Sequence, residues 1–432
     1  MLLFLCIALF ALTFQAFAHK PQEGTPKPYI HTGEESTLQK LIDATESGGT
    51  LVLDKRAYQG SFSISKPITI KGVEGTSIVS LETALEISNT KNVVIEDIEL
   101  KAEEAGIVAT GIHKLTLKNI KVEQGTAGIE ISNSTDITLD NVDISGQAGH
   151  FATKGHAIAI YKSVNVQASE SDISNVLDGF YIERTDDVSL TDNRIQDSRY
   201  AIHMMYSDKV RLDFNDVRAN LTGLMIMVAN DVSITNNSVK KNNTLNSVGI
   251  YTYDVNKMVF SDNELSENTV AMDIQDTRNM VIKSNFFSTN GTVIQAKYSG
   301  SVSIQDNEFH GNILTARTDE EGVLLQHNFY DDYTGKDYDG DGIGDTNYIA
   351  TNSFGQWMVR KPVYQYFIES PSVATLNKMD TEVTDHNSLA IIDDQPIVMG
   401  KTFNTNFSIN GWQFIGSIFV LIAMFIVRRK LI

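Results

Sequence analysis

The stretch "GFYIERTDDVSLTDNRIQDSRYAIHMMYSDKVRLDFNDVRANLTGLMIMVANDVSITNN", residues 179–237, carries one short phrase three times: GFYIE at 179–183, AIHMM at 201–205 and GLMIM at 223–227. The phrase returns as GIYTY at 249, AMDIQ at 271 and VIQAK at 293, so its starts are spaced 22, 22, 26, 22 and 22. After each comes a second short strand closed by an asparagine, and these fall at Asn193, Asn215, Asn237, Asn263, Asn285 and Asn307 on the same spacing. A single repeat this short cannot bury its apolar side, whereas stacked repeats bury a continuous core. The spacing therefore predicts an all-β solenoid, a right-handed parallel β-helix with coils of about 22 residues. Helical connections of ten or more residues, which a doubly wound α/β sheet needs, have no room here.

Working outward, weaker copies reach back to 111–123 and 128–145, and repeats are expected from Leu51 to Asn328. The recurrent asparagines are expected to stack inside one corner as a hydrogen-bonded ladder. Before the repeats, "STLQKLIDATE" (36–46) has apolar residues at helical spacing and a Ser36/Gln39 capping box. It predicts a helix capping the open first coil within a segment 19–50. After the repeats come an acidic loop and C-terminal segment (329–400) and a linker (401–411).

Both ends are apolar. Residues 1–18 end in Ala16-Phe17-Ala18 and read as a signal peptide, cleavage of which would leave His19 first. The one cysteine, Cys6, lies in that leader, so thiolate metal sites, disulfides and cysteine nucleophiles are not expected in the exported part. Residues 412–427, "WQFIGSIFVLIAMFIV", read as a transmembrane helix, and the basic cluster 428–430 places the tail 428–432 in the cytoplasm. The expected location is periplasmic or extracytoplasmic, anchored to the inner membrane. Between the ends, 54 acidic against 35 basic residues give a net charge of −19, which disfavours nucleic acid as a partner.

Strand alternation sorts the side chains of the central coils. Ile202 and Met204 point inward, and His203 and Met205 point outward, stacking one coil on against Met225 and Met227. The same outward column continues through Tyr181, Tyr251 and Tyr253, with Tyr206 beside it. Thioether and imidazole are soft or borderline donors that suit Cu(I) in a thiol-free protein. An exposed Met–Tyr cluster equally fits a protein interface, and the two readings are compatible. The histidines His113, His150, His156, His310 and His327 are scattered and read as loop or edge residues.

Past the repeats, Asp337, Asp339, Asp341 and Asp345 around Gly342 follow the first nine positions of a calcium loop. Tyr348 stands where the bidentate Glu of an EF-hand would be, and the competing reading is a solvated acidic loop. No catalytic set is expected: Glu183 and Asp273 are the only carboxylates near the central patch, four coils apart.

The motifs "RYAIHMMYSDKVRLDFNDVRANLTGLMIM" (199–227) and "FYDDYTGKDYDGDGIGDTNY" (329–348) resemble the NosD family, periplasmic accessory proteins for maturation of nitrous oxide reductase. The segments "PVYQYFIESPSVATLNKM" and "LAIIDDQPIVM" within 362–399 resemble that family's C-terminal part. The resemblance implies a non-enzymatic β-helix that docks on an ABC transporter permease and, with the transporter ATPase, supports assembly of the reductase's copper–sulfide centre. It sets His203, Met205, Tyr206 and Met227 at the family's His, Met, Tyr and following Met. The C-terminal membrane helix departs from the family pattern. Alternative readings are a carbohydrate-binding or polysaccharide-cleaving β-helix, and a membrane-anchored interaction scaffold.

Overall fold

The computed structural model describes residues 35–398, apart from 148, 319–321, 351–353, 355–356, 358–360, 368–369 and 383–390. The segments read as signal peptide, linker, membrane helix and cytoplasmic tail lie outside the described residues. Among those residues, no helix is long and apolar enough to cross a membrane.

Parallel strands stack in register from Thr50 to Tyr330, forming a right-handed parallel β-helix. Each coil presents three faces. In the coil from Tyr200, the strand Tyr200–Asp213 runs along the first face, bends, and continues along the second. A short strand, Asp216–Arg218, then lines the third. Bends are made where the backbone enters the left-handed region, here at Tyr206, Lys209, Phe214 and Ala219, all with φ near +55°. Most such corners are Asn or Asp, whose short polar side chains tolerate that conformation.

Inward positions superpose from coil to coil. Phe180, Ile202, Leu224, Ile250 and Met272 form one column, and Ile182, Met204, Ile226, Thr252 and Ile274 the next. All ten are buried, because a strand's side-chain period of two sends every second residue into the one interior. Met204 is core, as its parity predicts.

Polar ladders hold the corners. Each asparagine Nδ2 in the predicted column donates to the next coil's Oδ1, as from Asn193 to Asn215 (3.0 Å) and Asn215 to Asn237 (2.9 Å). The same Oδ1 also accepts the backbone N–H of the preceding asparagine, so every buried group is satisfied. A second ladder, not read from the sequence, runs through Asn220, Asn242, Asn268, Asn290 and Asn312. A third corner stacks hydroxyls, Ser134, Ser163, Thr185 and Ser207.

Both open ends are covered. The helix α1 (Glu35–Ala44) buries Leu38 and Ile42 on the first coil. The Gln39 side chain does not close a capping box: its amide exchanges two hydrogen bonds with the Ser63 backbone, mimicking a missing strand. At the other end Asp393 lies over Leu325 and accepts from Asn328 N–H and Nδ2 and from Tyr330 Oη, at 3.0–3.1 Å. An ionised carboxylate has no donor to pass on, so it terminates the asparagine ladder.

Candidate functional site

The first face of the central coils carries the outward column Tyr181, His203, Met225, Tyr251, Asp273 in direct register. Alongside it runs Glu183, Met205, Met227, Tyr253, Gln275. His203 thus faces Met225, and Met205 faces Met227, one coil spacing of about 4.8 Å apart. The three methionines are half-buried, whereas His203 is only 8% exposed. Its outward parity does not leave it open, because neighbouring aromatic and charged groups enclose it. Tyr181 and Tyr200 each meet the His203 ring edge-on, with centroids 5.0 Å away.

The enclosure is built on Asp178, whose side chain is 0% exposed. Arg199 grips the carboxylate with two parallel hydrogen bonds, Nε to Oδ1 at 2.8 Å and Nη2 to Oδ2 at 2.7 Å. His203 Nδ1 lies 3.1 Å from the same Oδ2. His156 Nδ1 lies 3.3 Å from it, within ion-pair reach but off the line of a hydrogen bond. Burial pushes the Asp178 carboxyl up, but His156, His203 and the doubly bonded, charged Arg199 together hold it well below the usual carboxylate range. The Arg199 guanidinium lies over the Tyr200 ring at 4.4 Å, and His156 stacks on Tyr181 at 4.5 Å. Here the sequence reading missed two residues. His156, read as a loop residue, is delivered by a coil of 29 residues in place of 22, whose extra chain forms a loop with the short helix Phe151–Thr153. Asp178 precedes a glycine at the strand start and carries no motif signal.

The tyrosines divide. Tyr181 donates to Glu183 Oε2 (3.1 Å), and Tyr251 is half-buried, its hydroxyl pushed up by burial and by Asp273. Tyr253 is 37% exposed. Tyr206 leaves the strand face at a corner, φ +54°, where the Arg184 guanidinium covers its ring at 4.9 Å.

In the acidic loop, one carboxylate oxygen each from Asp337, Asp339 and Asp345 lie within 4.8 Å of one another. Asp341 is not in that group; its carboxylate accepts from Ile343 N–H instead. Asp337 accepts from Gly342 and Gly340 N–H, which lowers its pKa. Asp339 accepts from Asp341 N–H, which lowers it, yet the charges of Asp341 and Asp345 raise it overall.

The fold defines the class, a right-handed parallel β-helix protein. Among solved structures it is similar to the family 28 exopolygalacturonase of Yersinia enterocolitica, with a TM-score of 0.51 and 9% identity over 67% of this chain and 74% of that one. The A-module of an Azotobacter vinelandii mannuronan C-5 epimerase gives a TM-score of 0.47 and 13% identity, over 68% and 89%. At such identities the likeness is one of fold alone. No curated protein sequence matches the chain. Residues 141–350 match the model of the family described as periplasmic copper-binding protein (NosD). Over that span the resemblance read from the motifs is borne out, and the span contains both the Met–His face and the acidic loop.

Proposed function

We propose that this protein is an accessory factor in maturation of nitrous oxide reductase that carries Cu(I) in transit on its first face. The single observation behind the reading is the register that stacks His203 and Met205 on Met225 and Met227 in a segment with a NosD-family match. Three thioethers and an imidazole form a neutral donor set that favours Cu(I) over hard cations and leaves the metal exchangeable. The half-buried tyrosines around it exclude water without adding competing charge.

In the same proposal the protein is periplasmic, works with an ABC transporter permease and ATPase, and has the reductase as its client. The apolar run 412–427 would tether it, raising its local concentration at a membrane partner. The acidic loop would hold a structural calcium ion through Asp337, Asp339 and Asp345, which the convergence of their carboxylates supports. No reaction is assigned to the protein.

The test is a Cu(I) titration of the full chain against a competing chromogenic chelator, repeated with His203, Met205, Met225 and Met227 changed to Ala. The expected result is stoichiometric capture by the unaltered chain and its loss in the quadruple variant. Equal behaviour of the two, or no capture by either, overturns the reading.

A further inference from the structure

Asp178 has no place in the donor set proposed above, yet it is the most enclosed charge on that face. Two donors bond its Oδ2, Arg199 Nη2 at 2.7 Å and His203 Nδ1 at 3.1 Å, and His156 Nδ1 lies 3.3 Å from the same oxygen, off the line of a hydrogen bond. An ionised carboxylate can only accept hydrogen bonds. His203, bonded through Nδ1, must therefore carry its proton there, which leaves the lone pair on Nε2. An Nδ1 lone pair of His156 turned to the same oxygen would be repelled by it, which favours the same tautomer in that ring. The partner bonded to one ring nitrogen decides which nitrogen remains available to a metal.

We propose that Asp178 is a positioning residue that locks His203, and with it His156, in the Nδ1–H tautomer, so that each presents an Nε2 lone pair for soft-metal ligation. The inference rests on the copper reading of the Met–His face and adds His156 to that site. Arg199 acts one step further out. Its bidentate grip fixes the plane of the carboxylate, and the Tyr200 ring beneath it holds the guanidinium in turn. Tyr181 lies between the two imidazoles, stacked on His156 at 4.5 Å and edge-on to His203 at 5.0 Å, so neither ring can swing without displacing it. The arrangement places a carboxylate–histidine pair on coils that the loop of the 29-residue coil and the first-face strands bring together.

The experiment reads the tautomer directly. In the full chain with ¹⁵N-labelled histidine, imidazole NMR in the absence of metal should show His203 and His156 with protonated Nδ1 and a pyridine-like Nε2. The two are assigned by His203→Gln and His156→Gln. Asp178→Asn should convert His203 to a mixture with the Nε2–H form. It should also weaken Cu(I) capture by about 10–100-fold, the usual consequence of removing such an orienting partner. Asp178→Glu should restore part of both. An Nε2–H form of His203 in the unaltered chain overturns the proposal without any variant. So does an Asp178→Asn protein whose tautomers and Cu(I) affinity are unchanged. A fixed Nδ1–H tautomer in a chain that takes up no Cu(I) would instead overturn the copper reading and leave the tautomer lock standing.

Discussion

Removing one rung of the asparagine ladder tests the fold's internal logic. In Asn237→Ala the Oδ1 that accepts from Asn215 N–H (2.8 Å) and Asn215 Nδ2 (2.9 Å) disappears. The Nδ2 that donates to Leu212 O, Thr235 O and Asn263 Oδ1 goes with it. Asn215 Nδ2 keeps Leu190 O as an acceptor, but the buried Asn215 N–H keeps none. An orphaned buried group costs about 1–3 kcal/mol. With two carbonyls each losing a donor and a small void left behind, the expected loss is about 2–5 kcal/mol. Ser233→Ala, on the outward side of the same coil, should change stability by about 0.5 kcal/mol or less. Urea denaturation of both variants measures the difference, and hydrogen exchange locates it. Because a solenoid repeat touches only its neighbours, faster exchange should be confined to the coils around Asn215, Asn237 and Asn263. A loss within about 0.5 kcal/mol of the Ser233→Ala value, or exchange spread evenly along the chain, would refute the argument that the ladder bears the corner.

Parity makes a second contrast: Met204→Ala empties a fully buried site and should cost about 2–5 kcal/mol, whereas Met205→Ala, half-buried and outward, should leave the melting temperature nearly unchanged. Equal losses would mean the strand is out of register. The Asp178 carboxyl is held below its unfolded value, so its stabilisation is complete at neutral pH and is lost as pH falls below about 4. Thermal melts should accordingly show a gap between the unaltered chain and Asp178→Asn that narrows on acidification, and a gap independent of pH contradicts the assigned partners. If the acidic loop holds calcium, EDTA should lower the melting temperature of the unaltered chain but not of Asp339→Ala; an unaffected unaltered chain argues against a bound ion.

The repeat spacing of 22 residues, with its recurrent asparagine, was enough to read the solenoid, because each coil contributes the same fixed set of residues to one interior. Strand parity was enough to separate Met204 from Met205. The second ladder, Asn220 to Asn312, shares the first one's spacing and was legible by the same signal. Asp393 was not: it completes a column whose previous member, Asn328, lies 65 residues earlier, with no repeat to announce it.

For the candidate site, the sequence by itself determined which side chains share the outward face and which coil follows which. A period of two and a 22-residue coil at this point leave no other register for His203 on Met225. What only the tertiary structure decided is how those side chains are held. The 29-residue coil carries His156 back over the face, and burial gathers it, Arg199 and His203 around Asp178. Likewise the acidic loop folds Asp345 beside Asp337 and turns Asp341 away. Periodicity propagates along a chain, but an irregular loop breaks it, and contacts made across the break are set by packing and desolvation rather than by spacing.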